Sequence, residues 1–124
     1  MKKTDVISPP IFPLSEFEVH MDKRGRFRVP TNIFSCLESD SPTLYGVRHD
    51  KLIRFYPQKP GIDEDYLLEF QIDGAQRIML PMLMREDFQE VPLILKSNAS
   101  HFVLCTNDLY QTLFVLPTPT AETL

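Results

Sequence analysis

A chain of 124 residues holds one domain, or two half-size units that share a core. Its 43% hydrophobic and 24% charged residues are the proportions of a globular protein. No apolar run approaches the ~20 residues that cross a bilayer, so no membrane partner is expected. A formal net charge of −4 excludes a surface that is basic all over but leaves room for a local basic patch, and patches steer polyanions.

Residues 1–16 start like a signal peptide but lack a continuous apolar stretch and a small-residue cleavage site. They are expected to form a flexible, proline-stiffened arm of a cytoplasmic protein. Phe17, Val19 and Met21 then alternate with Glu18, His20 and Asp22, the period of a half-buried strand. Arg26-Phe27-Arg28-Val29 resumes the alternation with both arginines outward, and Asp22-Lys23-Arg24-Gly25 between them has the chemistry of a short hairpin loop. Val29 precedes Pro30, which suits the start of a helix, and Ile33, Phe34 and Leu37 give that helix an apolar face of about two turns. Ser39 to Pro42 should end it. A second hairpin is predicted from 43–47 and 52–56, followed by a proline-broken, acidic linker over 57–65. Leu68, Phe70 and Ile72 open another strand, Arg77 to Leu80 lead into Pro81, and Leu83, Met84 and Phe88 are expected to face inward from a second helix. Strands at 93–96 and 101–105 precede Thr106, Asn107 and Asp108, which offer N-caps for a last helix through about Phe114. Residues 115–124 are expected to be a disordered tail.

The plan is written twice. Residues 17–34 return as residues 68–85 at a constant offset of 51, which sets Asp22 on Asp73, Arg26 on Arg77 and Pro30 on Pro81. Each unit, 17–56 and 66–114, is too small to bury its own strand faces, so the two must pack together, which favours an intertwined, mostly β body with short helices and favours self-association.

Strand, D-x-x-G-R, strand, proline and short helix, present twice, resembles the MraZ family of AbrB-like swapped-hairpin transcription factors. Asp22-Lys23-Arg24-Gly25-Arg26 through Val29-Pro30 matches the first motif, and Asp73-Gly74-Ala75-Gln76-Arg77 through Leu80-Pro81 is similar to the second. The resemblance runs over residues 17–56 and 66 to about 113. It implies a mainly β protein with short helices, folded as a double-split β-barrel from two tandem repeats. It also implies a ring-shaped homo-oligomer that binds double-stranded DNA, sits with the nucleoid and regulates transcription of the cell-division and cell-wall gene cluster. The chain departs from the pattern in its short linker, where the family has helical sequence, and at Gln76, where the family has glycine. A glutamine at positive φ is strained, so this loop is expected to bend differently, through Gly74.

Residues 20–28 hold Lys23, Arg24, Arg26 and Arg28 against one acid, Asp22, a local balance of +3 in an acidic chain. With Arg77 these are the candidate DNA contacts, since arginine can pair with guanine edges and each neutralised phosphate makes binding salt-dependent. Asp22 and Asp73 are assigned to orienting the loops, because a carboxylate repels phosphate, and Gly25 joins them because it can take the positive φ such a loop needs. The plainer account of the same charges is a solvated hairpin that keeps an edge strand from pairing, and Arg77 is equally well explained as an ion pair with Asp73. Arg48, Lys51 and Arg54 read as a solvated turn. His20, His49 and His101 have no metal-ligand spacing, and Cys36 and Cys105 read as idle thiols in preference to a disulfide. No cofactor, metal or enzymatic activity is expected: the chain has no nucleophile elbow and, with four glycines, little material for a phosphate loop. The competing function is a protein-interaction module on the same fold, an antitoxin-like protein or a relative that has lost DNA binding.

Overall fold

A computed structural model describes residues 11–37, 42–61 and 67–115. The protein is mainly β, with eight strands and three one-turn α-helices among these residues: β1 (Ser15–Val19), β2 (Arg26–Arg28), α1 (Thr31–Phe34), β3 (Thr43–His49), β4 (Leu52–Tyr56), β5 (Leu68–Gln71), β6 (Arg77–Met79), α2 (Met82–Arg85), β7 (Leu93–Ser97), β8 (Phe102–Thr106) and α3 (Asn107–Tyr110). The expected helix stop at 39–41, the acids at 63–65 and the tail from 116 lie outside the described residues.

Six strands form an antiparallel sheet in the order β1-β7-β8-β4-β3-β5, and β2 and β6 form a separate two-stranded ribbon. The strands of the two sequence copies interleave. β1 pairs with β7, β5 with β3, β4 with β8 and β2 with β6, so each of these ladders joins one copy to the other. The registers are reciprocal: Phe27 faces Ile78, its own counterpart at the 51-residue offset.

This pairing corrects the sequence reading of the two D-x-x-G-R hairpins. The turns form, but the strands that flank each one part company and enter different sheets. Alternation of apolar and polar residues reports which face of a strand is buried, not which strand lies beside it. A copy too small to cover its own apolar faces buries them by exchanging strands with the other.

The core lies between ribbon and sheet. Phe55 of β4 sits at its centre, with ring centroids 5.2 Å from Phe102, 5.3 Å from Phe70 and 5.9 Å from Phe27. These four rings come from four strands in both sheets, and full burial of each stabilises by about 1.5–3 kcal/mol. Phe70 lies directly over Gly46, where a Cβ would stand 2.4 Å from its ring.

Two further expectations are revised. Residues 11–16, assigned to the arm, belong to the body: Phe12 is buried edge-on to Phe102, its N–H bonds Ala99 O at 3.1 Å, and β1 begins at Ser15. Both helices preceding the long hairpins are single turns. Leu83, expected to face the core, is 95% exposed, while Phe88 is buried at the end of a 3-10 turn, Glu86–Phe88. In a one-turn helix only one side can face inward, and Met84 takes it, as Ile33 does in the first copy. The last helix starts where expected, with Thr106 Oγ1 accepting from the Leu109 N–H at 3.4 Å. Cys36 and Cys105 are both free, and burial pushes the Cys105 thiol up to about 11.

Candidate nucleic-acid interface

The aspartate of each motif builds its turn. Asp22 Oδ1 accepts from the backbone N–H groups of Arg24 at 2.9 Å and Arg26 at 2.8 Å, and its Oδ2 accepts from Arg26 Nε at 2.7 Å. Asp73 makes the same three bonds to Ala75 N, Arg77 N and Arg77 Nε, at 2.9, 2.9 and 3.0 Å. Backbone bonds close both turns identically, Asp22 with Gly25 and Arg26, Asp73 with Gln76 and Arg77. Both carboxyls are held below their ordinary value. For Asp22 the Arg26 backbone N–H is the main cause; for Asp73 desolvation is the largest single influence and opposes the shift, and the Arg77 and Ala75 N–H groups together with the Arg77 guanidinium outweigh it.

The second turn does not bend through Gly74. Gln76 takes φ +66°, the counterpart of Gly25 at φ +79°. Its carbonyl receives the Val29 N–H at 2.7 Å, as Gly25 O receives the Leu80 N–H at 2.9 Å, and its side-chain oxygen accepts from Thr31 Oγ1 at 3.3 Å. Ladder bonds on both strands over-determine the conformation, so a non-glycine residue is tolerated.

At Gly25 a side chain is disfavoured on two grounds. Beyond the positive φ, a Cβ there would lie 2.5 Å from Arg85 Nε. Arg85 reaches across from α2, bonds Leu80 O at 2.9 Å, and covers the first turn with its guanidinium. Gln89 Nε2 adds bonds of 3.3 Å to the carbonyls of Asp22 and Lys23. The second copy's helix thus supports the first copy's turn, and sequence carries no sign of that contact across 60 residues.

The ribbon presents the charge. Phe27 and Ile78 point into the core, so Arg26, Arg28, Arg77 and Met79 leave its outer face. Arg26 stands opposite Met79 and Arg28 opposite Arg77. Because the Val29–Gln76 and Gly25–Leu80 positions are hydrogen-bonded, these two pairs occupy the alternate, non-bonded positions, where side chains approach most closely.

The candidates separate into two groups. Arg26 and Arg77 are tied to Asp22 and Asp73, which commits their Nε atoms. Lys23, Arg24 and Arg28 have no ion pair among the described residues and are exposed. Two like charges at Arg28 and Arg77 face each other across the ribbon, only Arg77 of the pair bonded to an acid, Asp73, among the described residues, and a polyanion would stabilise that site. Arg48 belongs elsewhere: it pairs with Asp87, bonds Met84 O at 3.2 Å and lies over the Phe88 ring. His101 bonds Asn98 and Ser100 within its own turn, and its ring lies tilted against Tyr56 with centroids 4.8 Å apart; burial, then the nearby Arg54 charge, hold it below its ordinary value.

No helix among the described residues is long and apolar enough to cross a membrane. No protein-family model matches the chain, and no curated protein matches it.

Proposed function

We propose that the chain is a sequence-specific, DNA-binding transcriptional regulator, a divergent relative of the MraZ family that works as a homo-oligomer in the cytoplasm, at the nucleoid. The observation that carries the reading is the outer face of the β2–β6 ribbon, with three arginines on four outward positions and Lys23 and Arg24 on the adjoining turn. A two-stranded ribbon fits the major groove of B-DNA, where arginine pairs with guanine O6 and N7. On this reading Arg28 and the Nη atoms of Arg26 and Arg77 approach base edges, and Lys23 and Arg24 meet phosphates. The fold reading is a double-split β-barrel, supported by the interleaved strands and by two turns that match bond for bond at the 51-residue offset. A ring of subunits would repeat one modest basic face and gain affinity by multivalency.

The test is a gel shift with the full chain on DNA from upstream of its own coding sequence, over a range of salt. Log affinity should fall by roughly 0.9 for each phosphate neutralised. Lys23→Ala should lower that slope by about 1, and Arg28→Ala should weaken binding about tenfold or more, within the ~1–3 kcal/mol of one arginine–guanine pair. Unaltered binding by both variants would remove the ribbon as the reader.

A further inference from the structure

At the 51-residue offset, Arg28, Thr31 and Asn32 of the first copy become Met79, Met82 and Leu83 of the second. All three are solvent-facing, at 53%, 74% and 95% exposure, and only Leu80 and Pro81 separate Met79 from the other two in the chain. No demand of the core placed them there. Their position relative to the basic group is fixed by contacts already described. Met79 is the direct cross-strand partner of Arg26. α2, which starts with Met82 and Leu83, carries the Arg85 that lies over Gly25, next to Lys23 and Arg24. An open depression of about 320 Å³ runs from Met79 to Pro81, the residue before α2, and is bordered also by Phe70 and by the polar side chains of Glu69, Gln71, Asp73 and Arg77.

Resting on the regulator reading above, we infer that Met79, Met82 and Leu83 are a second base-reading element, one that recognises the 5-methyl groups of thymine beside the guanines read by the arginines. The occupant is duplex DNA because the apolar group is continuous with a face carrying the exposed cations Lys23, Arg24 and Arg28, which have no ion pair among the described residues. Among major-groove base edges, the thymine methyl is the apolar one. Three side chains are also far too small a patch for a stable protein–protein contact, which needs about 800 Å² per partner. The face then reads two kinds of base, polar at the three arginines and apolar at Met79 and the start of α2, and the site it selects is asymmetric.

The experiment selects binding duplexes from a random pool with the full chain, then resynthesises the recovered duplex with deoxyuridine replacing each thymine, which removes only the methyl. Replacement next to the guanines should weaken binding roughly fourfold per methyl contacted. The triple variant Met79→Ala, Met82→Ala, Leu83→Ala should bind the thymine and uracil duplexes equally while still preferring the guanines. Equal affinity of the unmodified chain for both duplexes overturns the inference and leaves the regulator reading intact. Failure to recover any preferred duplex overturns both. If the triple variant keeps the thymine preference but loses a specific protein partner, the patch is a protein-docking surface and the inference is wrong. These residues are exposed, so an unchanged thermal midpoint checks that the variant is folded.

Discussion

The two motif turns, Asp22 to Arg26 and Asp73 to Arg77, share one skeleton and differ in what they offer to solvent. Asp22 and Asp73 make the same bonds to the same positions, Gly25 and Gln76 share a left-handed backbone, and Phe27 and Ile78 meet in the core. Outward, the first copy carries Lys23, Arg24 and Arg28 where the second carries Gly74, Ala75 and Met79. Buried and backbone-bonded positions are therefore alike because both copies must satisfy the same fold, and exposed positions have been free to specialise. The comparison also shows that the motif arginines, Arg26 and Arg77, serve the turn first, since each is clasped by its own aspartate.

If the copies are equal partners in the fold, breaking either side of the ribbon's core contact should be costly. Phe27→Ala and Ile78→Ala are each expected to destabilise by about 3 kcal/mol, from lost transfer energy and the cavity left behind. Urea unfolding checks this, and a loss confined to one variant would show that a single copy holds the structure.

The next largest effect sets the two left-handed positions against each other. Gly25→Ala should cost about 2 kcal/mol, combining the left-handed penalty with the collision at Arg85. Gln76→Gly should move stability by no more than about 0.5 kcal/mol, because relief of the positive φ is offset by a freer unfolded chain. Thermal unfolding of both variants decides it, and a comparable loss at Gln76 would mean that its side chain does more than fill the turn.

On binding, Arg28→Ala should reduce affinity for DNA several-fold more than Arg77→Ala, whose charge is already half-answered by Asp73. Removing Arg28 should leave stability unchanged or slightly raised, since it faces a like charge across the ribbon. Paired titrations and melts separate the two effects, and equal losses of affinity would put the second copy on the same footing as the first.

The smallest effect is in acid. The folded-state values of Asp22 and Asp73 are depressed, so their contribution is present above the ordinary carboxylate value of about 4 and is lost as pH falls through the lower folded values. Asp22→Asn and Asp73→Asn should each flatten the stability curve below about pH 4 by a small amount, since both groups face solvent. A curve that stays as steep in the double variant would assign the acid sensitivity to other carboxylates.

Much of the candidate site was legible because its interactions are local. The Asp22 and Asp73 turns form within five residues, and the Asp73–Arg77 pair was one of the two accounts the spacing allowed. The repeat, applied strictly, also bears on the misplaced Leu83: its counterpart is Asn32, a residue that would not be assigned to a core. Gln76 went the other way, because local strain argued for Gly74, and ladder bonds from Val29 and the Asp73 turn override a penalty of that size.

By itself the sequence determined the positions of the strands and turns, the doubling at 51 residues and the concentration of cations in the first copy, all of them set by neighbours a few residues apart or by simple comparison. Only the tertiary structure decided that the strands flanking each turn separate, that Arg85 and Gln89 of the second copy support the first copy's turn, and that Arg26 faces Met79 while Arg28 faces Arg77. Alternation tells each strand which face to bury, but the partner along its edge is chosen by which apolar faces can be covered together, and here each copy is covered by the other.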